Sequence, residues 1–234
     1  MRGYLAFLLA GMVLGGGAFM LLSKTVSAVP PDREEIYELF QCPCCGQPIS
    51  AGCCELAVER KAYADGLIDA GLDREEVILR YIERYGIDSF RNENLKEEYR
   101  RKLLEKAPEN RPVVEAETTE LDLGEVSVAG GTVVREVRIT NSGKRELELF
   151  SLYTSCSCTT ASLVYRGYES DRYGMEAGTL NLALEPGESA VLRIYYDPTV
   201  HSDLRGLVIR SVYLRTSDPV TPVLTIRLRL VQVE

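Results

Sequence analysis

"APENRP", Ala107–Pro112, divides the chain, because the spacing of apolar residues changes across it. Two prolines and an asparagine break any helix at this point. The hydrophobic period is 3.6 before it and 2 after it. With 234 residues and 45% apolar content, the chain can build one large core or two small ones. The change of period selects two. The expectation is an α+β protein with its two classes in separate domains: a helical unit at 30–106, a linker at 107–117 and an all-β sandwich at 118–234.

Working back from the divide, "NENLKEEYRRKLLEK" (Asn92–Lys106) places Leu95, Tyr99 and Leu103 in line on a highly charged helix that projects into solvent. Before it, Asp73 and Glu76 form a capping box, and Val77, Ile78, Tyr81, Ile82 and Tyr85 follow at helical spacing until Gly86. A further helix is expected from about Cys54 to Ala70, with Leu56, Tyr63 and Leu67 on one face and Gly71 just past its end. The first helix begins with a capping box of Asp32 and Glu35, carries Ile36, Leu39 and Phe40, and ends at Pro43.

Forward from the divide, Val133, Val137 and Ile139 share one strand face, and "NSGK" turns the chain. Leu147 and Leu149 alternate with Glu146 and Glu148. "EPGES" (Glu185–Ser189) is a second turn, ahead of Leu192, Ile194 and Tyr196. Val208, Val212 and Leu214 alternate, as do Leu224, Ile226, Leu228 and Leu230 against Arg227 and Arg229. Short strands with turns between them read as a sandwich. Leu163–Thr179 is a long insertion, in which Tyr165, Tyr168 and Tyr173 read as loop packing ahead of a partner surface.

The far N-terminus sets the compartment. From Tyr4 to Leu22 no residue is charged, a run of about 19 residues and near bilayer-spanning length. Arg2 precedes it, as the positive-inside tendency expects. "VSA" at Val26–Ala28 also fits a signal-peptidase site, but the length of the run favours a retained anchor at residues 1–29. The expectation is a single-pass protein of the cytoplasmic membrane, held by this helix, with its domains facing the periplasm or the cell exterior. Disulfides are permitted there.

Composition excludes several functions. The formal net charge is −8 and no basic run exists, so there is no footprint for nucleic acid. His201 is the single histidine and reads as an exposed loop residue, which leaves little for histidine triads or histidine-rich metal sites. There is no C-x-x-C-H, so the chain is not itself a c-type cytochrome.

Five of the seven cysteines crowd into "CPCCGQPISAGCC", Cys42–Cys54. Cys42 and Cys45 form a C-x-x-C that brings two α-carbons within disulfide range in a turn. With Ser50 as N-cap, Cys53 and Cys54 fall in the first turn of a helix, where amides and dipole favour thiolate. Three readings compete. Cys42 and Cys45 exchange disulfides; or Cys42, Cys45, Cys53 and Cys54 hold zinc; or the cysteines staple a loop. Adjacent cysteines chelate a tetrahedral ion poorly, which weighs against zinc.

The stretch "FQCPCCGQPIS…ELA…AGLDREEVILRYIERYG" resembles the thiol oxidoreductase domain of the CcmH/CycL/NrfF cytochrome c maturation family. The matching positions are Cys42, Pro43, Cys45, Gln47 and Ile49, then Leu56 and Ala57, Gly71, and Arg84–Tyr85–Gly86. The resemblance implies a small membrane-anchored helical bundle that keeps apocytochrome thiols reduced for haem attachment. Its catalytic pair would be Cys42 and Cys45, with Cys42 as nucleophile, and it needs no cofactor. Its partners would be apocytochrome c and other thiol-redox or haem-attachment proteins. Cys44, Cys53 and Cys54 are extra to that pattern, and the apolar segment lies N-terminal to the domain rather than after it.

Downstream, Leu123–Gly124, Asn141, Gly143, Leu147, Leu149, Ser155–Thr159, Pro186–Ser189 and Asp197–Pro198 resemble bacterial Ig-like domains of unknown function, of the ASPM/SPD-2/Hydin type. Cys156 and Cys158 lie two apart, so an extended strand projects both to one side. They read as a partner of the Cys42/Cys45 site or as a local structural pair. A C-x-C also holds a soft ion such as Cu(I), but no Met- or His-rich stretch supports that here.

Overall fold

The computed structural model describes residues 30–234. The anchor expected at residues 1–29 lies outside them. Among the described residues, no helix is long and apolar enough to cross a membrane.

The N-terminal part is helical, with α1 (Arg33–Leu39), α2 (Glu55–Asp69), α3 (Arg74–Tyr85) and α4 (Glu93–Lys106). Helix α3 matches its pattern closely. Asp73 and Glu76 close a complete capping box, and Val77, Ile78, Tyr81, Ile82 and Tyr85 are buried. At α1 the box is not made: Asp32 caps the helix, but Glu35 pairs with Arg74 at 2.7 Å. Helix α2 buries Ala57, Arg60, Ala64 and Ile68, and of the expected face Tyr63 and Leu67 pack half-buried against the same core. Nor does α4 project into solvent. Tyr99 is buried, its ring is 5.3 Å from Phe90, and its hydroxyl donates to Glu75 at 2.7 Å. Phe40 stacks on Tyr81 at 3.7 Å and lies 5.1 Å from Phe90, so an aromatic column ties α1, α3 and α4 together.

The remainder is an Ig-like β-sandwich of two five-stranded sheets. Its strands are β1 (Val114–Ala116), β2 (Glu120–Ser127), β3 (Val133–Asn141), β4 (Leu147–Thr154), β5 (Thr159–Tyr165), β6 (Tyr168–Glu169), β7 (Gly178–Leu184), β8 (Ser189–Tyr196), β9 (Gly206–Thr216) and β10 (Val223–Val233). One sheet runs β1-β3-β8-β5-β6 and the other β2-β10-β9-β4-β7. Pairing is antiparallel except between β10 and β2. The first strand falls inside the stretch read as linker, paired with β3. Part of the Leu163–Thr179 insertion is also strand. Tyr165 and Tyr173 pack against the sandwich core, and Tyr168 is 71% exposed.

The alternating residues of β9 and β10 face the core: Val208, Val212, Leu214, Leu224, Ile226, Leu228 and Leu230 are buried. The opposite pleat is covered too. Ser211, Tyr213, Val223 and Thr225 are buried although they point away from the sandwich core. The helical part covers them. Gly86, at φ +84°, sits so close to β10 that an added Cβ would lie 2.8 Å from the Val223 carbonyl oxygen. The Arg60 guanidinium lies 4.7 Å from the Tyr85 ring centroid and 5.9 Å from that of Tyr213, bridging the two parts.

Candidate thiol sites

The cysteine loop is a tight turn pinned at both ends. Gln41 bridges Pro48, the Ile49 N–H donates to the Phe40 carbonyl at 3.1 Å, and the Cys42 N–H donates to the Gln47 carbonyl at 2.7 Å. Gly46 supplies the left-handed residue that closes the turn, at φ +70°. On the other side, the Gln41 N–H donates to the Ser89 carbonyl and the Arg91 N–H to the Leu39 carbonyl, so the loop base is tied to the segment after α3. Buried Arg60 donates to the Gln41 carbonyl at 3.2 Å from beneath.

The chain enters α2 near Cys54, as expected, but not through a Ser50 cap. Ile49–Ala51 forms a single 3₁₀ turn, Gly52 reverses the backbone at φ +55°, and Cys54 is the N-cap. Cys53 therefore precedes the helix, and Ser50 does not cap it. Cys54 makes no side-chain cap, because its sulfur points back to the loop. The five thiols gather as a result. Sγ of Cys45 lies 2.8 Å from Sγ of Cys53, Cys42 3.4 Å from Cys54, and Cys54 3.6 Å from Cys44. They fall into two triads that share Cys42. Cys42, Cys45 and Cys53 have their sulfurs within 4.8 Å of one another, and so do Cys42, Cys44 and Cys54. The zinc set read from the sequence is thus divided between the two triads.

Exposure separates the roles. Cys42 is 1% exposed, Cys45 and Cys53 are at the surface, and all seven cysteines are free thiols. The S–H of Cys44 holds the Cys42 sulfur as thiolate, down to about 4, against the opposing effect of burial. The same bond pushes Cys44 up, and desolvation with the Cys45 contact pushes Cys53 up. The low thiol therefore sits on Cys42, inside the loop, and not on Cys53 at a helix start.

Cys156 and Cys158 are not in an extended strand. They occupy the turn by which the chain leaves β4 in one sheet and enters β5 in the other, closed by the Thr159 N–H donating to the Cys156 carbonyl at 3.0 Å. Their sulfurs are 2.8 Å apart, and Cys158 is buried. His201 is not a free loop residue: its Nε2 lies 3.3 Å from Cys156 Sγ. Arg210 Nε donates to Cys158 Sγ at 3.0 Å. The Cys158 thiol, together with Arg210 and His201, draws Cys156 down to about 5, and Cys158 is raised in turn. The two cysteine groups approach each other, since the Cys44 sulfur lies 3.8 Å from the carbonyl oxygen of Ser155, next to Cys156.

Three residues of these sites were missed in the sequence. Arg210 carried a signal, because it shares the parity of Val208 and Val212, so a cation stands at an inward position. Arg60 carried a weaker one, at helical spacing with Ala57 and Ala64. His201 carried none, because its approach to Cys156 is made by the fold alone.

Comparison with known proteins reaches the sandwich. No curated protein matches the chain. A solved protein of unknown function from Porphyromonas gingivalis W83 is 24% identical over 53% of this chain and 49% of its own, with a TM-score of 0.42. The chain thus spans about half the length of that protein. The ASH/PapD-like domain 7 of human CEP192 is 13% identical over 55% of this chain and 90% of its own, with a TM-score of 0.35. The secreted serine protease VesC from Vibrio cholerae is 15% identical over 53% of this chain and 24% of its own, also with a TM-score of 0.35. Within the sandwich, residues 114–174 match the model of a family described as a protein of unknown function, DUF1573.

Proposed function

We propose that the chain is a membrane-anchored, extracytoplasmic thiol–disulfide oxidoreductase of cytochrome c maturation or related disulfide handling, with Cys42 and Cys45 as its redox pair. One observation carries the reading: an exposed thiol, Cys45, stands within 4.8 Å of a buried one, Cys42. Burial reverses the order of attack expected from the resemblance. The Cys45 thiolate attacks one sulfur of a client disulfide, forms a mixed disulfide and releases the client's first thiolate. The Cys42 thiolate then attacks the Cys45 sulfur, closes the Cys42–Cys45 bond and releases the second. The client gains two electrons and takes two protons from solvent. The protein is oxidised by two electrons and is restored by an exported dithiol reductant. The client class, an apocytochrome Cys-x-x-Cys-His segment, rests on the resemblance of residues 36–90 to the maturation family.

The test uses the purified, reduced full chain and an oxidised peptide containing Cys-x-x-Cys-His. Mass mapping is expected to find the Cys42–Cys45 disulfide and reduced peptide in equal amounts. Cys45→Ser abolishes the exchange. With Cys53, 2.8 Å from Cys45, also changed to Ser, Cys42→Ser accumulates a mixed disulfide on Cys45. Peptide left oxidised by the wild-type chain, or exchange unchanged in Cys45→Ser, rules the reading out.

A further inference from the structure

The sandwich has a second sulfur site that the exchange reaction does not use. Cys156 Sγ, Cys158 Sγ and a His201 ring nitrogen lie within 4.8 Å of one another. One ion with bonds of about 2–2.3 Å reaches three atoms at that spacing. We infer that Cys156, Cys158 and His201 form a trigonal site for one soft monovalent cation, Cu(I) by chemical class.

Three observations support the assignment. The first is positional. His201, the chain's only histidine, ends the 3₁₀ turn Pro198–His201. That turn is held from beneath by Gln232, which is 1% exposed and donates from Nε2 to the His201 carbonyl at 2.8 Å. Gln232 also accepts from the Tyr196 hydroxyl at 2.5 Å. A buried amide thus fixes the backbone of the turn that carries His201 beside the two cysteines. The second is chemical. Two thiolates and an imidazole, with no carboxylate among them, are a soft donor set. The third is charge. Arg210 donates to Cys158 Sγ and has no carboxylate partner among the described residues. Two thiolates and one guanidinium leave one negative charge, which a monovalent ion cancels. A divalent ion would leave the half-buried site with an excess positive charge, which is costly away from water.

Because His201 is the only imidazole, it reports this site alone, whatever the five-thiol loop binds. Full chain without a histidine tag, labelled with ¹⁵N at histidine, is titrated anaerobically to saturation with Cu(I), and separately with Ag(I) as a redox-inert stand-in. The expected result is a shift of the single Nε2 resonance with both ions. Arg210→Met is expected to lower the ratio of Ag(I) to Zn(II) affinity read at that resonance by at least about tenfold, the size of effect known for outer partners of metal ligands. An Nε2 resonance that stays in place at saturating Cu(I) and Ag(I), or that responds to Zn(II) alone, overturns the assignment. So does an affinity ratio unchanged in Arg210→Met. Neither result bears on exchange at Cys42 and Cys45, whose failure is read separately in the peptide assay.

Discussion

At the scale of single residues, a few side chains hold positions that no other residue type fills. Gly143 is one. An added Cβ would lie 2.4 Å from the Val113 nitrogen and 2.5 Å from the Arg111 carbonyl oxygen, both backbone atoms that cannot swing aside. Gly143→Ala is expected to cost about 1–3 kcal/mol in chemical denaturation, as overpacking does. Its neighbour Asn141, fully buried, donates to the Arg145 and Leu184 carbonyls and accepts from the Gly143 N–H. Cys42 gives a pH prediction. Its folded pKa, about 4, is far below the ordinary thiol value of 9.0, so its thiolate is present at neutral pH and disappears as pH falls through about 4. Thiolate absorbance near 240 nm in the reduced protein is expected to fall in two steps, one near 5 from Cys156 and one near 4 from Cys42. Cys42→Ser removes the lower step. Cys44→Ala moves it to higher pH, because the Cys44 S–H is the main source of the depression. A step unmoved in Cys44→Ala would mean that the thiolate is held by something else. The turn at Asn141–Gly143 was legible in the sequence, since Asn and Gly mark turns. The Cys42 thiolate was not, because its cause is a neighbouring sulfur whose direction depends on how the loop closes.

At the scale of elements, legibility followed the purity of the pattern. Helix α3 has a cap at each end and five apolar residues on one face, and all five are buried as expected. Asp73→Ala, which removes the cap to Glu76, is expected to cost about 0.5–2 kcal/mol in thermal or chemical unfolding. Helix α2 was read in part: Tyr63 and Leu67 pack half-buried against the core, but three of its four buried residues are alanines and an arginine, which carry no apolar signal of their own. Cys53 and Cys54 fell in the first turn of the helix only on the premise that Ser50 caps it. Nothing in "PISAGCCELA" separates a helix starting after Ser50 from one starting after Cys54, and Gly52 at positive φ decides it. In β4 the alternation breaks after Leu149, where the register shifts between Leu149 and Ser151 and leaves Phe150 44% exposed. The inner faces of β9 and β10 alternate as the sequence shows, and their apolar residues are buried. Their outer faces are buried by a different element, and local periodicity cannot report that.

At the scale of the whole molecule, this second burial joins the two parts and brings both thiol groups to one edge. The helical part lies on β9 and β10 through Arg60, Tyr85, Tyr213, Gly86 and Val223, while Cys44 reaches Ser155 beside it. Arg60 is 5% exposed and has no carboxylate partner among the described residues, so its charge faces two tyrosine rings and one carbonyl. A desolvated cation over aromatic rings gains up to about 2 kcal/mol, and removing the rings strands the charge. Docking of the two parts therefore depends on Tyr213 more than its own area suggests. Cleavage supplies the check. Pro108, Glu109 and Asn110 are exposed between α4 and β1, so a protease site inserted after Glu109 can be cut without disturbing either part. The two halves are expected to co-elute on gel filtration after cutting. With Tyr213→Ala they are expected to separate, and Arg60→Met in the same chain is expected to restore part of the association, because a neutral side chain no longer needs the ring. Halves that separate in the wild-type chain would mean that the linker alone holds the two parts together. The approach of Cys44 to the sandwich would then be a matter of tethering rather than of a built interface.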